Sequence, residues 1–254
     1  MQLNQCDSLI RSSVRNVHGT SVSVVDRPAG KRRVTGDWYD VYALDSHRVL
    51  LTVGDVMGHG LQASIVKARL CREIRHLAKS HADPAAILDE AEIALSRCFP
   101  GAIATAFVGI LDFEQRQCVY ANAGHPYPLL RLRNGSLVDL KAEGLLLGLR
   151  IVGQAQPVTQ SLENAALLAL YTDGLTEVAH DAVAGEKRLR EAVGGETILS
   201  RQNAARFVYD YCVGGQTSDD VVVLVSTLRH LTALDPMIAS KHEKRSSSSA
   251  SHLC

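Results

Sequence analysis

Aspartates recur in this sequence beside glycine or polar turn residues, where strongly apolar stretches end or begin. A single Asp-Gly is often an ordinary turn, because the carboxylate hydrogen-bonds its own backbone there. Several carboxylates gathered at the end of an apolar core would repel one another and lose hydration, so such a cluster predicts a compensating cation. Four motifs fit this description: GDWYD with Asp37 and Asp40, GDVMGHG with Asp55, YTDGLTE with Asp173 and Glu177, and TSDDVVV with Asp219 and Asp220.

The atoms that these motifs offer indicate which cation to expect. They supply carboxylate oxygens, and the six cysteines include no CxxC pair, so Mg²⁺ or Mn²⁺ is favoured over zinc. Three glycines surround Asp55 and His59 directly before a predicted helix, and glycine lets the backbone approach an ion or a phosphate closely. We therefore expect hard divalent ions here, with an anion favoured near the helix N-terminus.

Apolar runs rich in Val, Ile, Leu and Tyr predict the strands that would position these motifs. They cover 21–25, 49–53, 103–111, 117–121, 129–133, 167–171 and 221–227. Helices are predicted over 61–79, from Asp83 as N-cap with Pro84 as the first helical residue, and around 197–212. Antiparallel strands in runs, with helix pairs between them, predict an α+β fold in which helices cover two sheets from outside.

Composition indicates the domain organisation and the class of partner. We assign polar residues 1–20 to an N-terminal extension, 21–230 to one domain, and the Ser-rich, charged residues 235–254 to a disordered tail. Lys plus Arg equals Asp plus Glu at 27 each, which argues against nucleic acid or a membrane surface as the main partner. The sequence shows no signal peptide, no apolar run of about 18 residues and no disulfide framework, so we expect a cytoplasmic protein.

Six segments with these residues follow one another in a fixed order: GDWYDVYAL, VGDVMGHGLQAS, ANAGHPYPLL, GLLLG, YTDGLTE and SDDVVVLV. In this order they resemble the PPM family of metal-dependent Ser/Thr phosphatases, specifically its bacterial SpoIIE/RsbU-like branch. The resemblance extends from about Val22 to Leu228 and implies a β-sandwich of two antiparallel sheets flanked by helix pairs. It also implies two divalent ions, Mn²⁺ or Mg²⁺, and a water that attacks phosphorus in line without a Cys or Ser nucleophile.

Carried over position by position, the resemblance implies a role for each candidate ligand. Asp55 would bind both ions, Asp37 and the backbone carbonyl of Val56 would bind one of them, and Asp173 and Asp219 would bind the other.

Further residues beside these ligands have weaker assignments. Asp220, at a position where relatives have Asn or Asp, is ranked as supporting these ligands. His59 could protonate the leaving serine oxygen or simply pack in the glycine turn, and both interpretations stay open. His125, in AGHP, is expected to fix a loop by hydrogen bonding, and the basic run 31–33 is interpreted as a solvated strand end.

The resemblance implies hydrolysis of phosphoserine or phosphothreonine in a partner protein, which in this branch is commonly an anti-sigma-factor antagonist of a partner-switching system. Only 36 residues precede Asp37, fewer than a sensor domain needs, so control is expected from a regulatory protein partner, from expression, or not at all. Two alternatives remain. A non-catalytic binding module with this fold would be expected to lack the metal aspartates, and another two-metal phosphoester hydrolase, such as a nuclease, would usually carry a basic groove.

Overall fold

The computed structural model describes residues 11–17, 20–29, 35–214, 217 and 219–228. Its strands are β1 (Arg11–Val17), β2 (Thr20–Arg27), β3 (Trp38–Ala43), β4 (Arg48–Val56), β5 (Ala104–Asp112), β6 (Gln117–Ala123), β7 (Leu129–Leu132), β8 (Leu137–Asp139), β9 (Val158–Ser161), β10 (Ala165–Tyr171) and β11 (Val221–Thr227). Its α-helices are α1 (Leu61–Ala78), α2 (Pro84–Cys98), α3 (Ala182–Gly194) and α4 (Ala204–Val213). Short 3-10 helices cover Asp173–Leu175, Val178–His180 and Glu196–Ser200.

The strands form two antiparallel sheets that pack face to face. Sheet A has the order β1-β2-β11-β10-β7-β8, and sheet B has the order β3-β4-β5-β6-β9. One apolar cluster, with Val53 and Phe107 of sheet B and Leu168 and Val222 of sheet A, lies between the sheets. Helices α1 and α2 cover the outside of sheet B, and α3 and α4 cover the outside of sheet A. The predicted α+β sandwich of two antiparallel sheets flanked by helix pairs is confirmed.

Burial on both faces explains why the central strands are apolar at nearly every position. The first six residues of β11 are all buried, because the inner face of this strand packs against sheet B and its outer face against α4. The predicted start of α2 is also correct. The Asp83 carboxylate accepts a hydrogen bond of 2.9 Å from the Ala85 amide, and Pro84 occupies the first turn, where its missing N–H costs nothing.

Several elements differ from the sequence prediction. The predicted helix around 197–212 is a 3-10 turn followed by α4, while α3, β3, β8 and β9 were not predicted. Strand β1, within the stretch assigned to an N-terminal extension, pairs with β2 along its whole length. Its sequence RSSVRNV is mostly exposed, so backbone pairing and not an apolar pattern defines this edge strand. The predicted tail 235–254 and the basic run 31–33 lie outside the described residues.

None of the helices in the described part of the chain combines the length and the apolar character that crossing a membrane requires.

Candidate metal centre

Four of the predicted aspartates lie at one end of the sandwich, where strands of both sheets begin or end. In sheet B, Asp37 directly precedes β3 and Asp55 lies near the end of β4, and the pairing of Trp38 with Gly54 brings these two chain segments side by side. In sheet A, Asp173 follows β10 and Asp219 precedes the neighbouring strand β11. Each sheet therefore contributes one half of the candidate centre.

Asp37 and Asp55 form the sheet B half, and burial together with the charge of Asp55 raises the pKa of Asp37. Asp37 is only 3% exposed, and its Oδ2 accepts a hydrogen bond of 2.7 Å from the hydroxyl of Thr172. Burial raises the pKa of Asp37 well above its ordinary value, and the neighbouring charge of Asp55 raises it further. Burial also raises the pKa of Asp55 to about 6. Two carboxyls this close cannot both ionise at low cost unless a cation lies beside them.

The sheet A half adds negative charge to the same space. Burial raises the pKa of Asp173, and the charges of Asp219 and Glu177 raise it further. The charges of Asp173 and Asp219 in turn raise the pKa of Asp55 in the opposite sheet. The electrostatic coupling therefore runs across the gap between the two sheets, which is the repulsion that a pair of divalent ions would relieve.

Gly36 keeps a small space open between two candidate oxygen ligands. A Cβ atom at this position would lie 2.5 Å from the carbonyl oxygen of Val56 and 2.8 Å from Oδ1 of Asp55. The loop is fixed there because the amide of Val56 donates to the carbonyl of Gly36 over 3.3 Å. The carbonyl oxygen of Val56 and Oδ1 of Asp55 thus both lie close to the position that a side chain at Gly36 would occupy.

Asp219 and Asp220 differ in their surroundings. Asp219 is exposed, and its Oδ1 accepts a 2.7 Å hydrogen bond from the amide of Asp220. Oδ1 of Asp220 instead accepts a 2.7 Å hydrogen bond from the amide of Ala29, so this carboxylate ties the end of β2 to the start of β11. The supporting role of Asp220 stays a prediction.

Three other predicted residues lie apart from the carboxylate pair. Asp40 forms two 2.6 Å hydrogen bonds with the guanidinium of Arg75 and so joins β3 to α1. Glu177 is exposed, and its charge acts on Asp173. His59 is exposed in the loop between β4 and α1, where it can reach solvent but shows no described contact with the carboxylates.

Sequence reasoning missed Thr105 and Thr172, two threonines that hold the carboxylate segments in place. The Asp55 amide donates to Oγ1 of Thr105 over 3.2 Å, and Thr172 donates to Asp37. Their positions gave a usable signal: Thr172 directly precedes Asp173 in YTDGLTE, and Thr105 lies in a predicted strand. A hydroxyl in an otherwise apolar strand needs a partner when it is buried.

The donor set fits hard divalent ions. Its members are carboxylate oxygens and one backbone carbonyl, the ligand type that Mg²⁺ and Mn²⁺ prefer. Within the described ranges, no three acidic, His or Cys side chains converge on a single point. The residues that would hold such ions are Asp37 and Asp55 of sheet B, Asp173 and Asp219 of sheet A, and Val56 through its carbonyl, together with water.

The family model described as Stage II sporulation protein E (SpoIIE) matches residues 45–229, more than two thirds of the chain. The chain is 22% identical to the phosphoserine phosphatase RsbU of Bacillus subtilis (strain 168) over 228 residues, and the match spans 87% of this chain and 67% of RsbU. RsbU thus extends beyond the matched region.

Solved structures share the fold at low sequence identity. The RsbU and RsbW domains of Rv1364c from Mycobacterium tuberculosis superpose with a TM-score of 0.73 at 24% identity, over 82% of this chain and 59% of that one. The PP2C phosphatase domain of Bacillus subtilis SpoIIE, with a fragment of its regulatory domain, gives 0.71 at 19% identity over 87% and 71%. RsbX in complex with magnesium gives 0.69 at 19% identity over 85% and 99%. Because the SpoIIE family model matches well over half of the chain, the chain belongs to the SpoIIE family of PPM-type protein serine/threonine phosphatases.

Proposed function

We propose that this chain hydrolyses phosphoserine or phosphothreonine on a folded partner protein, using two divalent ions, Mn²⁺ or Mg²⁺, held at the sandwich end. The observation that carries the proposal is the electrostatic coupling at one end of the sandwich: beyond the effect of burial, the charge of Asp55 raises the pKa of Asp37 in the same sheet, and the charge of Asp173 in the opposite sheet raises the pKa of Asp55. Two bound ions would supply a water that is deprotonated near neutral pH and would neutralise charge on the phosphoryl group.

Each residue of the centre has a definite task under this proposal. Asp55 would bind both ions, Asp37 and the Val56 carbonyl would bind one of them, and Asp173 and Asp219 would bind the other. The Thr172 hydroxyl would orient the Asp37 carboxylate, since it already donates to Oδ2.

His59 is the candidate for a proton donor to the leaving serine oxygen, because its exposed loop position leaves it able to face a substrate.

Removal of divalent metal tests the core of this proposal. Hydrolysis of p-nitrophenyl phosphate and of a phosphopeptide should be lost in EDTA and should return with excess Mn²⁺, because the oxygen ligand set has no other means of activating water. Circular dichroism in EDTA should show the fold retained. Full activity of the metal-stripped protein would refute the two-ion mechanism and leave another phosphoester hydrolase chemistry as the explanation.

The substrate class that we propose is a phosphorylated anti-sigma-factor antagonist of a partner-switching system, as the similarity to RsbU suggests. An exposed apolar surface beside the centre supports docking of a folded protein. It consists of Met57, which directly follows Val56, and of Leu61 and Ile65 in the first turns of α1, where Leu61 is 73% exposed. Contiguous exposed apolar residues of this kind mark interaction sites in soluble proteins.

Docking on this surface predicts a preference for the intact partner. We expect kcat/KM at least about tenfold higher for the folded phosphoprotein than for a peptide with the same phosphosite, because a few buried apolar contacts contribute this much affinity. The double variant Leu61→Ser, Ile65→Ser should abolish the preference while hydrolysis of p-nitrophenyl phosphate is unchanged. Val183→Ser provides the control, since Val183 is 82% exposed on α3, outside sheet A. Equal kcat/KM for protein and peptide would indicate a general phosphatase.

A further inference from the structure

We propose that Thr105 and His125 form a hydrogen-bonded tie between the two sheets that sets the spacing of the two halves of the metal centre. The inference rests on the proposed function, because it assigns a positioning role toward the same ions. The tie begins at the amide of Asp55 in sheet B and ends at the carbonyl of Tyr171 in sheet A, two residues before Asp173.

The two terminal groups of the tie, the Tyr171 carbonyl and the Asp55 amide, determine which atom donates in each hydrogen bond. The carbonyl of Tyr171 can only accept, so Nε2 of His125, 3.0 Å away, carries the hydrogen. In the neutral ring Nδ1 is then an acceptor, and the Thr105 hydroxyl, 2.8 Å away, donates to it. Oγ1 of Thr105 keeps its lone pairs for the amide of Asp55 at 3.2 Å. Every polar atom along the tie has a partner of the right kind.

This arrangement needs a neutral His125 imidazole, and the burial of the ring favours the neutral form. His125 is only 4% exposed, and burial lowers its pKa to about 4. Its main chain is held from both directions: the His125 amide donates to Oδ1 of Asn122, and Nδ2 of Asn122 donates to the His125 carbonyl, each over 2.8 Å. The imidazole is therefore fixed in position and tautomer between the sheets.

The apolar contact between the sheets does not fix their spacing in this way. Burial of apolar surface is non-directional, so it tolerates small shifts of one sheet against the other. Metal ligands must instead hold their positions within a few tenths of an ångström. A chain of directed hydrogen bonds from Asp55 to the strand that leads into Asp173 supplies this constraint. His125 is a positioning residue, because the described contacts of its ring reach Thr105 and Tyr171 and not the carboxylates.

The test compares Mn²⁺ affinity among four variants of the full chain, measured by electron paramagnetic resonance of free Mn²⁺. Thr105→Val keeps the side-chain shape but removes the hydroxyl, Thr105→Ser restores the hydroxyl, and His125→Phe removes both ring nitrogens. Ser23→Ala is the matched control. Ser23 is buried in β2, accepts a 2.9 Å hydrogen bond from the Ala205 amide, and pairs with Val225, four residues along β11 from the end nearest the centre.

We expect Thr105→Val and His125→Phe to weaken Mn²⁺ binding at least about tenfold, the effect typical of residues that orient metal ligands. They should lower kcat more than they change KM. Thr105→Ser should restore binding, and Ser23→Ala should lower the melting temperature while Mn²⁺ affinity is unchanged. If Thr105→Val binds Mn²⁺ like the wild type, or if Ser23→Ala loses as much affinity, the tie is refuted although the metal centre stands. If the wild type binds no Mn²⁺, both the centre and the tie are refuted.

Discussion

Asp55→Asn is expected to lower kcat/KM at least about a thousandfold, or roughly 4 kcal/mol of transition-state stabilisation. The reason is that its charge is coupled both to Asp37 in its own sheet and to Asp173 and Asp219 in the opposite sheet. Loss of one bridging carboxylate affects both ions, whereas loss of Asp220, which is bonded to the Ala29 amide, should cost less. Steady-state kinetics on p-nitrophenyl phosphate with saturating Mn²⁺ measures both effects.

The same variant should stabilise the metal-free protein. Burial raises the pKa of Asp55 to about 6, above its ordinary value near 4, so the folded state disfavours the ionised form. The contribution of the Asp55 carboxyl to the free energy of unfolding is therefore fully present below about pH 4, and it is lost as the pH rises through about 6. At pH 7 the Asp55→Asn variant should therefore have a free energy of unfolding higher by on the order of 1–2 kcal/mol, a figure discounted for the partial exposure of Asp55. The gain should disappear at pH 4.

A conservative control lies on the neighbouring strand. Asp112 pairs with Arg48 at the opposite end of β4 from Asp55, and Asp112→Asn should leave turnover at the wild-type level. Wild-type turnover in Asp55→Asn, or a larger loss in Asp220→Asn, would show that the ligand assignment is wrong.

Gly36→Ala is expected to lower kcat/KM about a hundredfold. The added Cβ would lie 2.5 Å from the Val56 carbonyl oxygen and 2.8 Å from Oδ1 of Asp55, well inside normal contact distance. Either the loop or both oxygens must shift, and a displacement of about 1 Å at a reacting centre costs on the order of a hundredfold in rate. Mn²⁺ affinity should fall in parallel, because both oxygens are candidate ligands.

Gly194→Ala is the matched control for this substitution. Its Cβ would meet no atom closer than 3.6 Å, the distance to Cδ1 of Leu137, so turnover and metal binding should not change. A Gly36→Ala protein with wild-type kcat/KM and Mn²⁺ affinity would show that the Val56 carbonyl and Asp55 do not bind a common ion.

The central strands could be predicted from the sequence, because burial on both faces leaves a continuous apolar signal such as VVVLVST. The carboxylate motifs could be located because each lies where such a run begins or ends. The sequence was insufficient for β1, whose residues face solvent and whose pairing with β2 depends on backbone groups that every residue carries. Asp40 was grouped with the candidate motifs by its neighbour Asp37, but strand alternation directs it to Arg75 on α1. The sequence shows Thr105 and Thr172 as hydroxyls beside apolar residues, but it could not identify their partners, which are distant in sequence and are brought close only by the fold.

The order of strands in sheet A constrains how the protein becomes active during synthesis. Strand β11 is the last described strand in the chain, yet it lies between β2 and β10 in the sheet. Until the ribosome has delivered residues 221–227, β2 and β10 present unpaired edges and Asp219 has no strand to fix it. Under the proposed ligand set, a nascent chain that already carries Asp37, Asp55 and Asp173 still lacks a complete centre, so we expect no activity before residues 221–227 have been translated.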